Sequence, residues 1–163
     1  MISAIVAVDE NWGIGYQNQL LEHIPADLKH FKELTLNSMV VMGRKTWESL
    51  PKKPLPDRFN IVISSTQQED CLTFSFDSIK QWLPIMKSSN IMDVFIIGGG
   101  ALYKDLLPYC DKAYVTKINK SHENVDTYFP NLDAEPGWKI GEAGPPQFYQ
   151  DMEFSFMVYE KIY

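Results

Sequence analysis

The chain of 163 residues has two cysteines, no long basic run, and an N-terminal apolar run too short to span a bilayer. Cys71 and Cys110 match no metal-ligand spacing, so we expect reduced thiols, no bound metal and a cytoplasmic location. A net charge of −6 without basic clusters makes a nucleic-acid partner unexpected. No linker, repeat or exposed apolar stripe is evident, which predicts a monomer with one domain over residues 1–163.

Apolar runs alternate with helical patterns along the chain, an order typical of a single-domain α/β fold around a mostly parallel sheet flanked by helices. The runs are nearly continuous in apolar residues, as expected when both faces of a sheet are covered. We predict strands at Ile2–Val8, Met39–Met42, Phe59–Ser64, Ile91–Ile97 and Lys112–Ile118, and helices at Ala26–Leu34, Lys45–Leu50, Ser78–Met86 and Ala101–Leu107. Ser78 is the expected cap of the third helix, and Pro108 should end the fourth. The alternation over Glu153–Lys161 predicts a C-terminal antiparallel hairpin at the sheet edge.

A run of three glycines, Gly98–Gly100, lies between a predicted strand and a predicted helix. Glycine lets a ligand approach the main chain closely, and a helix N-terminus favours an anion such as a phosphate. The run therefore indicates either a nucleotide phosphate site or an ordinary tight turn.

A second glycine turn follows the predicted strand at Met39–Met42. Gly43 is followed by Arg44, Lys45 and Thr46, and the guanidinium of Arg44 can hold a phosphate through several donors. Ser64 and Ser65 end the next predicted strand and add hydroxyl donors at the same rim of the sheet. Two such turns on one rim favour a dinucleotide, although a solvated cationic pair would give the same pattern.

Asp27 lies among apolar neighbours on a predicted helix, with Phe31 on the same face and Leu28 beside it. A sheltered carboxylate can bind an amidine-like heterocycle, and desolvation should raise its pKa. An aspartate that only complements the helix dipole is the alternative. Arg58, ahead of a predicted strand, is either a carboxylate ligand or an ordinary surface arginine.

Taken together, these segments resemble the dihydrofolate reductase family, and the match in order and spacing covers nearly the whole chain. The resemblance implies reduction of 7,8-dihydrofolate with NADPH, by hydride transfer to C6 and protonation of N5 through a water molecule. It is carried by Ile14-Gly15, Ile24–Leu28 with Phe31, Met42–Ser49, Pro54–Pro56 with Arg58, Ile97–Gly100 with Tyr103, Thr116, and Asp126–Pro130.

The resemblance implies a role for each matching residue. Asp27 corresponds to the acid that binds the pterin, Thr116 to the hydroxyl that bonds this acid, and Arg58 to the ligand of the glutamate α-carboxylate. The other expected substrate residues are Ile5, Leu20, Glu22, Leu28, Phe31, Leu50, Ile97 and Tyr103. The expected NADPH residues are Ala7, Ile14, Gly43, Arg44, Lys45, Thr46, Ser64, Ser65, Gly98, Gly99, Gly100, Ala101 and Leu102, with a cis peptide between Gly98 and Gly99.

Two positions depart from the family pattern. Leu21-Glu22 stands where the family usually has Pro-Trp, which should bring a second acid close to Asp27 and weaken binding of diaminopyrimidine antifolates such as trimethoprim. Val125 stands where a glycine usually precedes the aspartate, so the loop that braces the active-site lid should be ordered differently. The alternatives are a related reductase for another heterocycle, such as a pyrimidine of the riboflavin pathway, and a non-catalytic nucleotide-binding module.

Overall fold

A computed structural model describes residues 1–163, which form one large mixed sheet flanked by helices and a small second sheet. The large sheet contains β1 (Ile2–Val8), β4 (Met39–Gly43), β5 (Phe59–Ile63), β6 (Leu72–Phe74), β7 (Val94–Gly98), β8 (Lys112–Ile118), β10 (Trp138–Ala143), β11 (Gln147–Tyr149) and β12 (Met152–Lys161). Its strand order is β10-β12-β8-β1-β7-β4-β5-β6, with β11 paired to β12. The strands from β8 to β6 are parallel, and the antiparallel strands β12 and β10 extend one edge of the sheet. Strands β11 and β12 form the predicted C-terminal antiparallel hairpin.

Helices α1 (Pro25–Thr35), α2 (Arg44–Ser49), α3 (Phe76–Ser89) and α4 (Gly100–Leu106) connect the parallel strands, so the predicted α/β class is confirmed. Pro25 occupies the first turn of α1, where its missing N–H costs no helical hydrogen bond. The central strands are buried on both faces, and they anchor a main hydrophobic core that includes Val41, Ile96, Leu83 and Tyr159. None of the helices combines the length and the apolar composition that a membrane span requires.

The structure corrects several predicted boundaries. Strand β7 begins at Val94 and not at Ile91, because α3 continues to Ser89 and Asn90 closes it in a left-handed conformation, leaving Ile91 77% exposed in the connection. The cap of α3 is Ser75 and not Ser78, since the Ser75 hydroxyl accepts the Ser78 N–H at 3.1 Å. Helix α4 ends one residue early, at Leu106, and Pro108 lies within a short 3₁₀ turn, Leu107–Tyr109.

A small antiparallel sheet was not predicted. It contains β2 (Gly13–Tyr16), β3 (Gln19–Leu20) and β9 (Thr127–Tyr128), in the order β3-β2-β9. These strands are too short and too rich in glycine and polar residues to give an alternating apolar pattern. The sheet ties the loop after β1 to the loop after β8, and both loops lie beside the functional site described below.

Candidate functional site

The Asp27 carboxylate lies between α1 and β8, and it accepts a hydrogen bond from the Thr116 hydroxyl at 2.6 Å. Asp27 belongs to the first turn of α1, where Pro25 starts the helix, while Thr116 lies on the neighbouring strand. The Thr116 side chain is buried, whereas Asp27 is only half-buried. The expected contact between these residues is confirmed, and one side of the carboxylate remains accessible.

Burial raises the pKa of Asp27 by desolvation, and the Thr116 hydrogen bond and the charge of His30 only partly offset this effect. His30 lies one turn further along α1, and its ring stacks on Phe156 of β12 with centroids 4.0 Å apart. The ionisable side chain that acts on Asp27 is therefore a histidine on its own helix, and burial lowers the pKa of this histidine. A carboxyl group with such a pKa is typical of a site that binds a protonated heterocycle.

An apolar wall adjoins the acid. Ile5, on the central strand β1, belongs to a buried cluster against which Phe31, Leu50 and Ile97 also pack. These are four of the predicted substrate residues, which the fold brings together from β1, α1, β7 and the residue after α2. Leu20 and Leu28, also predicted to contact substrate, are each about half exposed to solvent.

Arg58 is held in a fixed orientation next to this wall. Its Nε donates to the Pro56 carbonyl at 2.8 Å and its Nη1 to the Thr35 hydroxyl at 3.2 Å, while the guanidinium lies 6.0 Å from the centre of the Phe31 ring. The Nη2 group makes no hydrogen bond to the protein. The side chain is thus ordered but keeps donors free for an anion, which is unlike an ordinary surface arginine.

Two polar residues that hold Arg58 were missed by the sequence analysis. Thr35 is fully buried, and its hydroxyl donates to the Phe31 carbonyl while accepting from Arg58. Asn60 is 6% exposed, and its amide bonds both backbone groups of Leu55 and the carbonyl of Arg58. Thr35 has an ordinary polar neighbourhood, whereas Asn60 lies inside the predicted strand Phe59–Ser64, where a polar side chain needs partners.

The two predicted glycine turns lie side by side at the ends of neighbouring strands. Met42 pairs with Gly98 across β4 and β7, and a Cβ built on Gly99 would lie 3.5 Å from the Thr46 hydroxyl. The peptide bond between Gly98 and Gly99 is cis, as the resemblance implied. This arrangement places backbone N–H groups from the starts of α2 and α4 at one rim of the sheet.

Cationic and hydroxyl side chains surround these turns. Arg44 and Lys45 are exposed at the start of α2, and Arg44 forms an ion pair with Glu48 at 2.7 Å. Ser64 and Ser65 follow β5, where the Ser64 hydroxyl accepts the N–H of Thr66. The exposed guanidinium retains further donors for an anionic ligand.

Some predicted binding residues are available only through their backbone. The side chains of Leu102 and Ile14 belong to the hydrophobic core, and Ala7 packs against Ile24 and Ile118. Tyr103 is buried, with its hydroxyl donating to the carbonyl of Ile5 at 2.6 Å, so its side chain supports the central strand. Gly100 and Ala101 line a cavity of about 670 Å³ beside α4.

Glu22 is bonded by two side chains from the loop after β8, His122 and Lys120. Its Oε2 lies 2.9 Å from His122 Nε2 and 3.4 Å from Lys120 Nζ. Desolvation raises the pKa of Glu22, but the hydrogen bonds from His122 and Lys120 outweigh it and hold the pKa below its usual range. No local sequence pattern marks His122, because the two residues that it joins, Asp9 and Glu22, lie 113 and 100 positions away in the chain.

Asp126 joins the loop after β1 to the loop after β8 at a second point. Its N–H donates to the Gly15 carbonyl, and its carboxylate accepts the N–H of Gln17 at 2.9 Å. Val125 avoids a positive φ and packs against Gly13, where a built Cβ would lie 2.9 Å from Val125 Cγ1. The loop is therefore ordered with a valine at this position.

Comparisons with known proteins point to one family. The sequence model of the family described as dihydrofolate reductase matches residues 1–161. Dihydrofolate reductase of Bacillus subtilis is 41% identical, over 99% of this chain and 95% of that protein. The enzyme of the same name from Buchnera aphidicola is 43% identical over 85% and 84%. A solved structure of dihydrofolate reductase from Enterococcus faecalis, complexed with NADP(H) and RAB-propyl, is 31% identical and superimposes with a TM-score of 0.82, covering 99% of this chain and 96% of that one.

Proposed function

This chain belongs to the dihydrofolate reductase family, and from that membership we propose how its residues reduce 7,8-dihydrofolate to 5,6,7,8-tetrahydrofolate. The protein is an NADPH-dependent oxidoreductase. The observation that carries the mechanism is the half-buried Asp27 carboxylate fixed by Thr116. We further propose that the enzyme acts as a cytoplasmic monomer on this small-molecule substrate.

The residues at the rim of the sheet fit NADPH. Arg44 and Ser65 suit its 2′-phosphate, Lys45 and Thr46 lie at the start of α2 for the pyrophosphate, and the Gly98–Gly100 turn gives a second close approach to the backbone. NADPH, when bound, supplies the hydride that passes from its nicotinamide C4 to C6 of the pterin. Side chains of this protein bind and orient the pterin and favour its protonated form.

Asp27 binds the amino group and ring nitrogen of the pterin through its two oxygens, while Thr116 fixes their orientation. Ile5, Phe31 and Leu50 enclose the ring and exclude water from its faces. The negative charge of Asp27 favours the protonated pterin, and a water molecule delivers the proton to N5. Arg58 binds the glutamate α-carboxylate of the substrate through its free donors.

A spectrophotometric assay of NADPH oxidation tests this function directly. We expect turnover with dihydrofolate and none with a pyrimidine intermediate of the riboflavin pathway. Turnover only with the pyrimidine would favour the related reductase. Tight NADPH binding with no turnover on either substrate would favour a non-catalytic module.

We also propose that Glu22 lowers the affinity for diaminopyrimidine antifolates such as trimethoprim, a route to antifolate resistance. Replacing Glu22 by tryptophan should tighten inhibition about tenfold, because an indole adds apolar surface next to the bound inhibitor. The measurement is an inhibition titration against dihydrofolate, with NADPH affinity as the control. Glu22→Gln separates the loss of charge from the gain of apolar area, and an unchanged inhibition constant in Glu22→Trp contradicts the proposal.

A further inference from the structure

His122 bridges two carboxylates that lie on different segments. Its Nδ1 is 3.1 Å from Asp9 Oδ2 and its Nε2 is 2.9 Å from Glu22 Oε2. The imidazole side chain is 12% exposed and that of Asp9 only 1%. Asp9 follows β1, whereas Glu22 belongs to the stretch Gln17–Ile24, called here the active-site segment, which leads into α1 and Asp27.

Both acids in this bridge act as acceptors. Asp9 Oδ1 accepts the N–H groups of Asn11 and Gly13, and Asp9 Oδ2 accepts the N–H of His122 itself. An ionised carboxylate offers only lone pairs, so both ring nitrogens bond fully only when each carries a proton. The geometry therefore matches the imidazolium form, since a neutral ring would leave one nitrogen lone pair facing a carboxylate.

We propose that His122, by bonding both acids, is a positioning residue that fastens the active-site segment to the end of β1, and that loss of this double contact releases the segment and weakens dihydrofolate binding. This inference rests on the proposed function.

The other charged groups around the bridge are few. Lys120 Nζ lies 3.4 Å from Glu22 Oε2, but it is half exposed and contributes little by itself. Glu10 and Glu123 are exposed and form no ion pair, while Glu153 is bonded to Asn119. The bond between the Gln17 N–H and Asp126 does not involve His122, so the segment keeps one anchor when the bridge opens.

The test compares wild type with His122→Gln, which cannot donate to both acids, and His122→Arg, which stays charged at every pH. KM for dihydrofolate should be about fivefold higher in His122→Gln than in wild type. His122→Arg, which can donate to both acids, should keep KM within about twofold of wild type. In both variants kcat should stay within about twofold, so the expected effect is a change in KM without a change in kcat.

Hydrogen exchange of the Gln17–His23 amides, without substrate, reports the bridge independently of turnover. Exchange in His122→Gln should be faster than in wild type, while Glu123→Gln should behave as wild type in both measurements. Unchanged KM and exchange in His122→Gln, or an arginine variant that behaves like the glutamine variant, overturn the proposal. Altered exchange without dihydrofolate turnover in any variant would instead reject the proposed function and leave the bridge in place.

Discussion

Replacing Asp27 by asparagine is expected to lower kcat for dihydrofolate about 100-fold or more near neutral pH, while NADPH affinity stays unchanged. Asparagine has the same shape and can still accept the Thr116 hydrogen bond, so the variant removes charge and little else. Without the carboxylate, nothing in the site favours the protonated pterin. Steady-state kinetics and a separate NADPH titration measure the two effects.

The pH profile of this variant gives a sharper test. In wild type, the charge of Asp27 stabilises the protonated pterin, whereas in Asp27→Asn the rate depends on how much substrate is protonated in solution. The activity of the variant should therefore rise about tenfold for each unit of decreasing pH. A profile parallel to that of wild type contradicts the proposed role of Asp27.

Stability provides the control for this loss of activity. Because burial raises the pKa of Asp27, the folded state holds this proton to higher pH than the unfolded state does. The charged carboxylate therefore lowers the free energy of unfolding. This destabilisation begins as the pH rises above the ordinary aspartate pKa of about 3.9, and it is complete above the raised pKa of Asp27. Asp27→Asn should be at least as stable as wild type at neutral pH, which excludes unfolding as the cause.

The parts of this molecule that the sequence predicted well depend on short-range patterns. Strands β1 and β8 were predicted with their observed bounds because continuous apolar runs mark strands that are covered on both faces. The error at Ile91 arose because an apolar residue followed the helix end at Asn90, whose left-handed conformation is not evident from the residue type alone. Apolar content therefore predicts that a strand exists more reliably than it predicts the residue at which the strand begins.

The contacts within the site were harder to predict from local sequence patterns, because they join residues that are far apart in the chain. Asp27 and Thr116 are 89 residues apart, and only the family resemblance paired them. His122 and Thr35 bond the side chains of distant residues, and Asn60 bonds the backbone of Leu55 and Arg58. A buried polar residue can be recognised as a support only when its partner is known, and partner choice is set by the packing of whole elements.

Arg58→Gln is expected to raise KM for dihydrofolate about 10- to 100-fold with kcat nearly unchanged, because it removes charged hydrogen bonds made equally in the ground and transition states. Thr35 and Pro56 hold the guanidinium in place before substrate arrives, so little entropy is lost when the carboxylate binds. Steady-state kinetics with dihydrofolate measure the change, and Lys139→Gln, which removes an exposed cation from β10 at the opposite edge of the sheet, controls for net charge.

A substrate without the glutamate tail isolates this contact. With a 7,8-dihydropterin that lacks the tail, wild type and Arg58→Gln should have the same KM, since neither can bind an absent carboxylate. The ratio of KM in Arg58→Gln to KM in wild type should therefore exceed one only with the full substrate, so that the ratios for the two substrates differ. An equal loss on both substrates would mean that Arg58 supports the wall at Phe31, which its guanidinium overlies, and that the carboxylate binds elsewhere.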